Sequence, residues 1–417
     1  MTPQRALAFL LLFALLALPT RSPAQMDVWP PPLEAVEVYR IPLWLPRFHC
    51  EADALLSKTQ TMEEVIFKDL EFSGLFDIVR KKPVSVGMDD SNFSVEVQAK
   101  VSMADGEPVF EGWVTDVVSG DFIGGKRYKF DDKTLRRTAH HFADEVVRLV
   151  TGEAGVAMTR IVYTRERNGQ WELIVSDYDG YNPRVLVRQG VPLLNPRWVD
   201  NDKALVYTSY RAGKADLYIR YLAESKSQTL ADFAGTNITA DWSDRHRWFL
   251  AALSKDGNSE IYLLERSGSV RKRLTHNRAI DTSPCWAPSG RELVFTSDRS
   301  GAPQLYVMET DGANVRRLTF TGGYNASPAW SPRGDLIAFV NRVGSIFQIA
   351  TITPDGRDGR LLTNDSNSHE DPRWAPDGRH IVYTEKKGDV YNISVVDIRT
   401  RGKRILAEGA SPDWSTH

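Results

Sequence analysis

The sequence predicts a multidomain α/β plus all-β protein: a small mixed α/β domain followed by a six-bladed β-propeller. Three observations carry this. Trp198, Trp242, Trp286, Trp330 and Trp374 follow one another at a step of 44 residues. Three further columns keep that step through six units: Tyr163, Tyr207, Ala251, Phe295, Phe339 and Tyr383; Leu173, Leu217, Ile261, Leu305, Ile349 and Ile393; and Leu186, Leu230, Leu274, Leu318, Leu362 and Leu406. Within a unit the pattern is that of short strands and tight turns, with no helical stretch long enough for a crossover.

One unit shows the logic. Glu292–Thr296 and Gln304–Met308 are short and rich in β-formers, with Ser297–Gly301 as the turn between them. Asp311-Gly312 is a hairpin signal before Arg316–Thr319, and Pro328-Ala329-Trp330 starts the next unit. Four short antiparallel strands per unit make a propeller blade. The columns are the apolar core that packs blade on blade, as repeats require. The propeller should occupy residues 157–417. Its first unit, at Arg160–Thr164, lacks a Pro-x-Trp strand, and the chain ends on a spare one, Ser411-Pro412-Asp413-Trp414. The spare strand should complete the first blade and abolish two exposed edges. The step shortens by four residues here, between Leu406 and Trp414.

Residues 33–152 read as mixed α/β. Val36–Leu45 is a strand candidate, and Thr61 with Glu64 forms a capping-box pattern for a helix running to Leu70 and stopping near Gly74. Phe93–Ser102, Phe110–Val118 and Phe122–Phe130 read as an antiparallel meander, with Gly124-Gly125 at a bulge or bend. A second helix is expected over Lys133–Val150, its apolar stripe formed by Leu135, Ala139, Phe142, Val146 and Leu149 and its C-cap by Gly152.

Ahead of these lies a targeting pattern. Arg5, the apolar run Ala6–Leu18, Pro19 and the small residues around Ser22-Pro23-Ala24 have the layout of a secretory signal peptide, residues 1–24. Residues 25–32 form a Pro-rich arm. A formal charge of −2 offers no basic field for nucleic acid. Cys50 and Cys285, in different halves of the chain, read as separate thiols.

Catalytic patterns are missing: there is no Gly-x-Ser-x-Gly, His-Glu-x-x-His, Cys-x-x-Cys or Gly-rich phosphate loop. His140 and His141 diverge on a helix and cannot share a metal, so they read as a surface or interdomain pair. The loops before each Pro-x-Trp strand run from the outer strand of one blade to the inner strand of the next. Six of them should converge on one mouth of the channel. Their last residues are Asn195, Asn237, Thr239, Asp281, Thr282, Asn325, His369, Glu370 and Asp371. These can hydrogen-bond an extended peptide, or they are polar because loops are solvated. Asp281, Glu370 and Asp371 are also candidates for a hard cation such as calcium, without calcium-loop spacing. No cofactor is expected.

Certain stretches resemble the TolB family of periplasmic propellers in the Tol-Pal system. They are Thr159–Tyr163, Glu172–Asn182, Asp69–Phe76, Leu135–His140 and Leu149–Gly152. The resemblance implies a monomeric, non-enzymatic scaffold in the periplasm, peripherally associated with the envelope. It implies that the mouth binds a Pal-like peptidoglycan-associated lipoprotein and that the mature N-terminal segment contacts a TolA-like inner-membrane protein. The system maintains the outer membrane and helps it constrict at division. Trp29-Pro30-Pro31-Pro32 departs from the extended arm of the family, because proline disfavours strand addition. Two other readings stay open: a propeller enzyme acting on peptides or sugars, and a TolB-like paralogue serving another envelope complex.

Overall fold

The computed structural model of the protein describes residues 39–80 and 94–417. The expected signal peptide and Pro-rich arm lie outside the described residues. The chain divides into two compact units, one ending at Thr159 and the other spanning Arg160–His417.

The first unit is a six-stranded mixed sheet with two helices. β1 (Ile41–Trp44) lies parallel to β3 (Phe76–Val79) and to β4 (Val95–Ala104). The short β2 (His49–Cys50) also pairs with β4. β4, β5 (Glu107–Asp116) and β6 (Phe122–Lys129) form the expected meander. The register slips between Val114 and Thr115, opposite Phe122–Gly124, which places a bulge beside the glycine pair.

Helix α1 spans Leu56–Phe72, beginning five residues before Thr61. The Thr61 hydroxyl donates to the Ser57 carbonyl at 2.9 Å, and Glu64 pairs with Lys68 at 3.1 Å. Neither side chain makes the capping box; Thr61 hydrogen-bonds one turn back, as mid-helix threonines do. Helix α2 spans Leu135–Thr151. The Asp131 carboxylate accepts the Lys133 and Thr134 amides before it, and Gly152 closes it with φ 76°. The stripe is buried from Leu135 through Val146, with Leu149 half-buried. A Cβ on Gly112 of β5 would stand 2.4 Å from the Phe142 ring, so glycine there lets the helix lie on the sheet. His140 is neither a surface residue nor free: its Nδ1 lies 2.8 Å from Asp69 Oδ2, joining α2 to α1, while His141 meets Tyr128 at 2.9 Å.

The second unit is the six-bladed propeller, each blade a four-stranded antiparallel sheet. The inner strands of blades 2 to 6 are Leu193–Val199, Asn237–Ser243, Asp281–Trp286, Asn325–Trp330 and Ser368–Trp374. Blade 1 takes its inner strand from the C-terminus: Ala410–Trp414 pairs antiparallel with Arg160–Arg167, Trp414 opposite Ile161. The end is pinned further: Ser415 N–H donates to the Arg160 carbonyl, and Asp202 of blade 2 accepts the Thr416 and His417 amides. All six Trp of the column are buried, as is the aromatic column through Tyr163. Cys50 and Cys285 are free thiols.

Candidate partner-binding mouth

In every blade the inner strand begins at the end where the second strand finishes and the third begins. The loops entering each blade and the loops between its middle strands therefore share one rim. The predicted site residues sit on that rim, but in the inner strands themselves rather than in the loops before them. The structure sorts them into two rings.

The first ring opens the strands. Asn237, Asp281, Asn325 and His369 have no exposed surface. The Asn237 amide donates to Asp216 Oδ1 at 3.0 Å and the Phe233 carbonyl at 2.9 Å. Asp281 is held by Arg299 and Asn277, each at 2.8 Å. Asn325 donates to Gln304 Oε1 and the Thr321 carbonyl, both at 2.9 Å, and accepts from Asn341 at 2.8 Å. In blades 3 to 5 these side chains fasten each entering loop to its own blade, since buried polar groups need partners, whereas neither ring nitrogen of His369 has a hydrogen-bond partner. With no exposed surface, all four side chains lie inside their blades rather than on the loop surface where the sequence places them.

The second ring lies two residues further on. Asn195, Thr239, Ser283, Ser327, Asp371 and Ser411 all have left-handed backbones, φ 48–53°. In each blade two residues of the inner strand oppose one of its neighbour here; in blade 2, Leu194 pairs with Thr208 and Arg197 with Val206. A β-bulge therefore recurs six times around the channel. Left-handed backbone in non-glycine residues costs about 1–3 kcal/mol each, and the β-branched Thr239 is the least suited to it. Five of the six precede proline, which ends local pairing by removing a donor. Thr282 and Glu370 occupy equivalent places just before the bulge in blades 4 and 6, each partly exposed.

Between blades 5, 6, 1 and 2 the bulges surround a cavity of about 110 Å³. Asn195, Ser327, Glu370, Asp371 and Ser411 line it, with the rings of Trp171, Tyr324, Phe347 and Tyr391. Glu370 has no salt-bridge partner among the described residues; burial, then the neighbouring Asp371 charge, pushes its carboxyl up to about 7. Burial also raises Asp371, against the pull of Arg197 and a 3.1 Å bond from Ser411 Oγ. Both touch channel solvent with part of their surface while protein surrounds them.

Deeper in the channel lies a layer that sequence reasoning missed. Asp241 and Asp413 accept the Trp286 and Trp198 amides of the next blades, each at 2.8 Å. Burial pushes both carboxyls up to about 6 despite Arg197 nearby. Arg373 Nε stands 3.9 Å from Asp413. Cys285 accepts the Trp330 amide at 3.3 Å, and burial raises its thiol well above the ordinary value. The signal was present as the 44-residue column Arg197, Asp241, Cys285, Ala329, Arg373. The cavity holding Glu370 and Asp371 does not include Asp281, so the three proposed cation ligands are not brought together.

Known proteins share this architecture. The family described as TolB beta propeller domain matches residues 147–417. The chain belongs to the TolB β-propeller family. Curated relatives include the Tol-Pal system protein TolB of Bordetella parapertussis, 35% identical over 188 residues, 43% of each chain. That of Hamiltonella defensa is 31% identical over 193 residues, covering 43% of this chain and 45% of the relative. The chain thus spans less than half the length of these relatives. The crystal structure of TolB from Acinetobacter baumannii superposes with TM-score 0.80 at 24% identity, covering 91% of this chain and 97% of that one, and shows the shared fold. Among the described residues of this TolB-family chain, no helix is long and apolar enough to cross a membrane.

Proposed function

We propose that this protein is the periplasmic scaffold of a Tol-Pal-type system, binding a Pal-like lipoprotein at the bulge-ringed mouth. In this role it supports outer-membrane integrity and constriction during division. The observation that carries the reading is the four-blade cavity, where aromatic rings and a carboxylate without an ion pair converge on strained backbone. Strain of this kind clusters at binding sites because a rigid surround over-determines it. Relatives named as Tol-Pal system proteins support the assignment to that system. The predicted secretory leader supports the compartment.

The chemistry of the mouth suits recognition. A rigid ring loses little binding energy to ordering itself, and converging rims can supply a stable interface of about 1,200–2,000 Å². Aromatic and apolar groups of the partner inserted among Trp171, Tyr324, Phe347 and Tyr391 would dominate the energy, with polar rim residues setting specificity. Catalysis of sugar cleavage would call for two carboxyls facing each other across a substrate. Glu370 and Asp371 are instead adjacent on one strand. A TolA-like partner belongs to the same reading through residues 25–32, and trimming that arm should abolish its binding while Pal binding stays measurable.

Calorimetry with the Pal-like protein of the same source tests the mouth. Thr282→Arg combined with Glu370→Arg should weaken binding at least tenfold, about 1.4 kcal/mol. Wild-type affinity in this variant would move the site elsewhere. A failure of any Pal-like protein to bind would favour a paralogue serving another envelope complex.

A further inference from the structure

The repeat supplies its own control for an unusual cluster in blade 6. Three positions recur with the 44-residue step: one in the entering loop, one at the start of the inner strand, and one across from it on the second strand. In blade 5 they are Thr321, Asn325 and Asn341; in blade 6 they are Asp365, His369 and Glu385. The blade 5 set is neutral and closed by hydrogen bonds, Asn325 meeting both Asn341 and the Thr321 carbonyl. The blade 6 set consists wholly of metal-ligating residue types.

Its geometry differs in the same sense. His369 and Glu385 are direct cross-strand partners. His369 Nε2 lies 3.2 Å from Asp365 Oδ1 and 3.9 Å from Glu385 Oε1. The three ligand atoms fall within 4.8 Å of one another. Ligands about 2.0–2.2 Å from a tetrahedral ion are separated by about 3.3–3.6 Å, so these atoms already bracket that spacing. The His369 side chain is completely buried, yet neither ring nitrogen has a hydrogen-bond partner, although buried polar groups ordinarily find one.

We propose that Asp365, His369 and Glu385 form a binding site for a zinc-type divalent cation in blade 6. The imidazole nitrogen selects a borderline ion over calcium or magnesium, which prefer oxygen alone. The carboxylates are held in orientation, as metal ligands are. Asp365 Oδ1 accepts the Asn367 amide at 2.9 Å, and Lys403 occupies Oδ2. Glu385 accepts Asn367 Nδ2 through Oε1 and Ser394 Oγ through Oε2, both at 2.8 Å. The ion would enter past Asp365, about a third exposed, and solvent would complete its coordination. Once bound, it would clamp the entering loop to the strand that carries Glu370 and Asp371.

The test uses the full chain stripped with chelator and titrated with Zn²⁺ by calorimetry, and with Co²⁺ by visible absorption. The site requires about one equivalent of Zn²⁺, cobalt bands of a four-coordinate ion, and a melting temperature raised by Zn²⁺ but not by Ca²⁺. Asp365→Asn alters a partly exposed loop and should keep the fold; it and His369→Gln should each weaken Zn²⁺ binding at least tenfold. His276→Gln, on an exposed loop, should bind as wild type does. Unchanged affinity in Asp365→Asn, loss confined to His276→Gln, or no binding to the wild type would overturn the proposal.

Discussion

Two rings of polar residues, two positions apart on the same inner strands, behave as opposites. Asn237, Asp281 and Asn325 are sealed in their blades and hydrogen-bonded to their own loops. Asn195, Thr239 and Asp371 sit on bulges that turn the strand toward the channel. Sequence polarity is the same in both, so polarity does not separate fastening from recognition; backbone geometry does. A bulge breaks the period-two alternation of a strand, and residues beyond it no longer face where spacing predicts.

The Trp column, which belongs to neither ring, sets the scale of stability effects. Trp286 is buried between blades beside His246, the rings 5.3 Å apart. Trp286→Ala should cost about 3–5 kcal/mol, read as a shift in the denaturant midpoint at unchanged slope.

Blade 6 offers a sharper contrast between its two ends. At the rim, burial raises carboxyls; at the opposite hairpin the reverse holds for Asp377. Burial opposes ionisation there as well. The His380 charge, its 2.6 Å contact and the Arg379 and His380 amides outweigh it, holding the carboxyl at about 2 instead of 3.8. A carboxyl depressed on folding contributes stability that is fully present above its unfolded value and disappears as pH falls through its folded one. The shift corresponds to about 2 kcal/mol. Asp377→Asn should therefore destabilise the propeller at pH 7, with the gap to wild type closing between about pH 4 and 2. A gap independent of pH would assign the loss to packing alone.

The fastening ring should respond next. Asn325→Ala removes the partner of Gln304, Asn341 and the Thr321 carbonyl, leaving buried polar groups unmade at a cost of about 1–3 kcal/mol. Thermal melts will show this as a lower midpoint. An unchanged midpoint would mean that the first ring is not fastened as the geometry indicates.

The fold was legible because its columns are apolar and uninterrupted: Trp198 to Trp374 and the orphan Trp414 suffice to count the blades and close the ring. The capping box at Thr61 misled because helix α1 takes its start from the short 3₁₀ turn at Asp53–Leu55, which has no side-chain cap signal. The predicted mouth residues do share one rim of the blades, but their spacing did not resolve them into two rings. Nothing in the residues Asn237 or His369 says that they are buried in their blades; Pro196, Pro284, Pro328, Pro372 and Pro412, read as strand starts, stand instead at the bulges. The aromatic lining escaped notice because Trp171, Tyr324, Phe347 and Tyr391 come from different elements of three blades and share no column.

The smallest effect on stability is expected just before the second ring, and there the contrast between the rings can fail most directly. Thr282 and Glu370 directly precede the bulges and are partly exposed. Arginine at both positions removes one acid and adds two cations at the channel rim. The blade cores, formed by Trp286, Phe295 and Tyr383, remain untouched. The melting temperature of Thr282→Arg with Glu370→Arg should therefore stay within error of wild type, while its affinity for a Pal-like partner falls. The charge reversal should act on the association rate and on its salt dependence, since rim charges steer encounter more than they hold the bound state. Stopped-flow association at two ionic strengths separates these effects. A melting temperature lowered as far as that of Asn325→Ala would erase the distinction from the first ring and make the positions before the bulges part of the blade core.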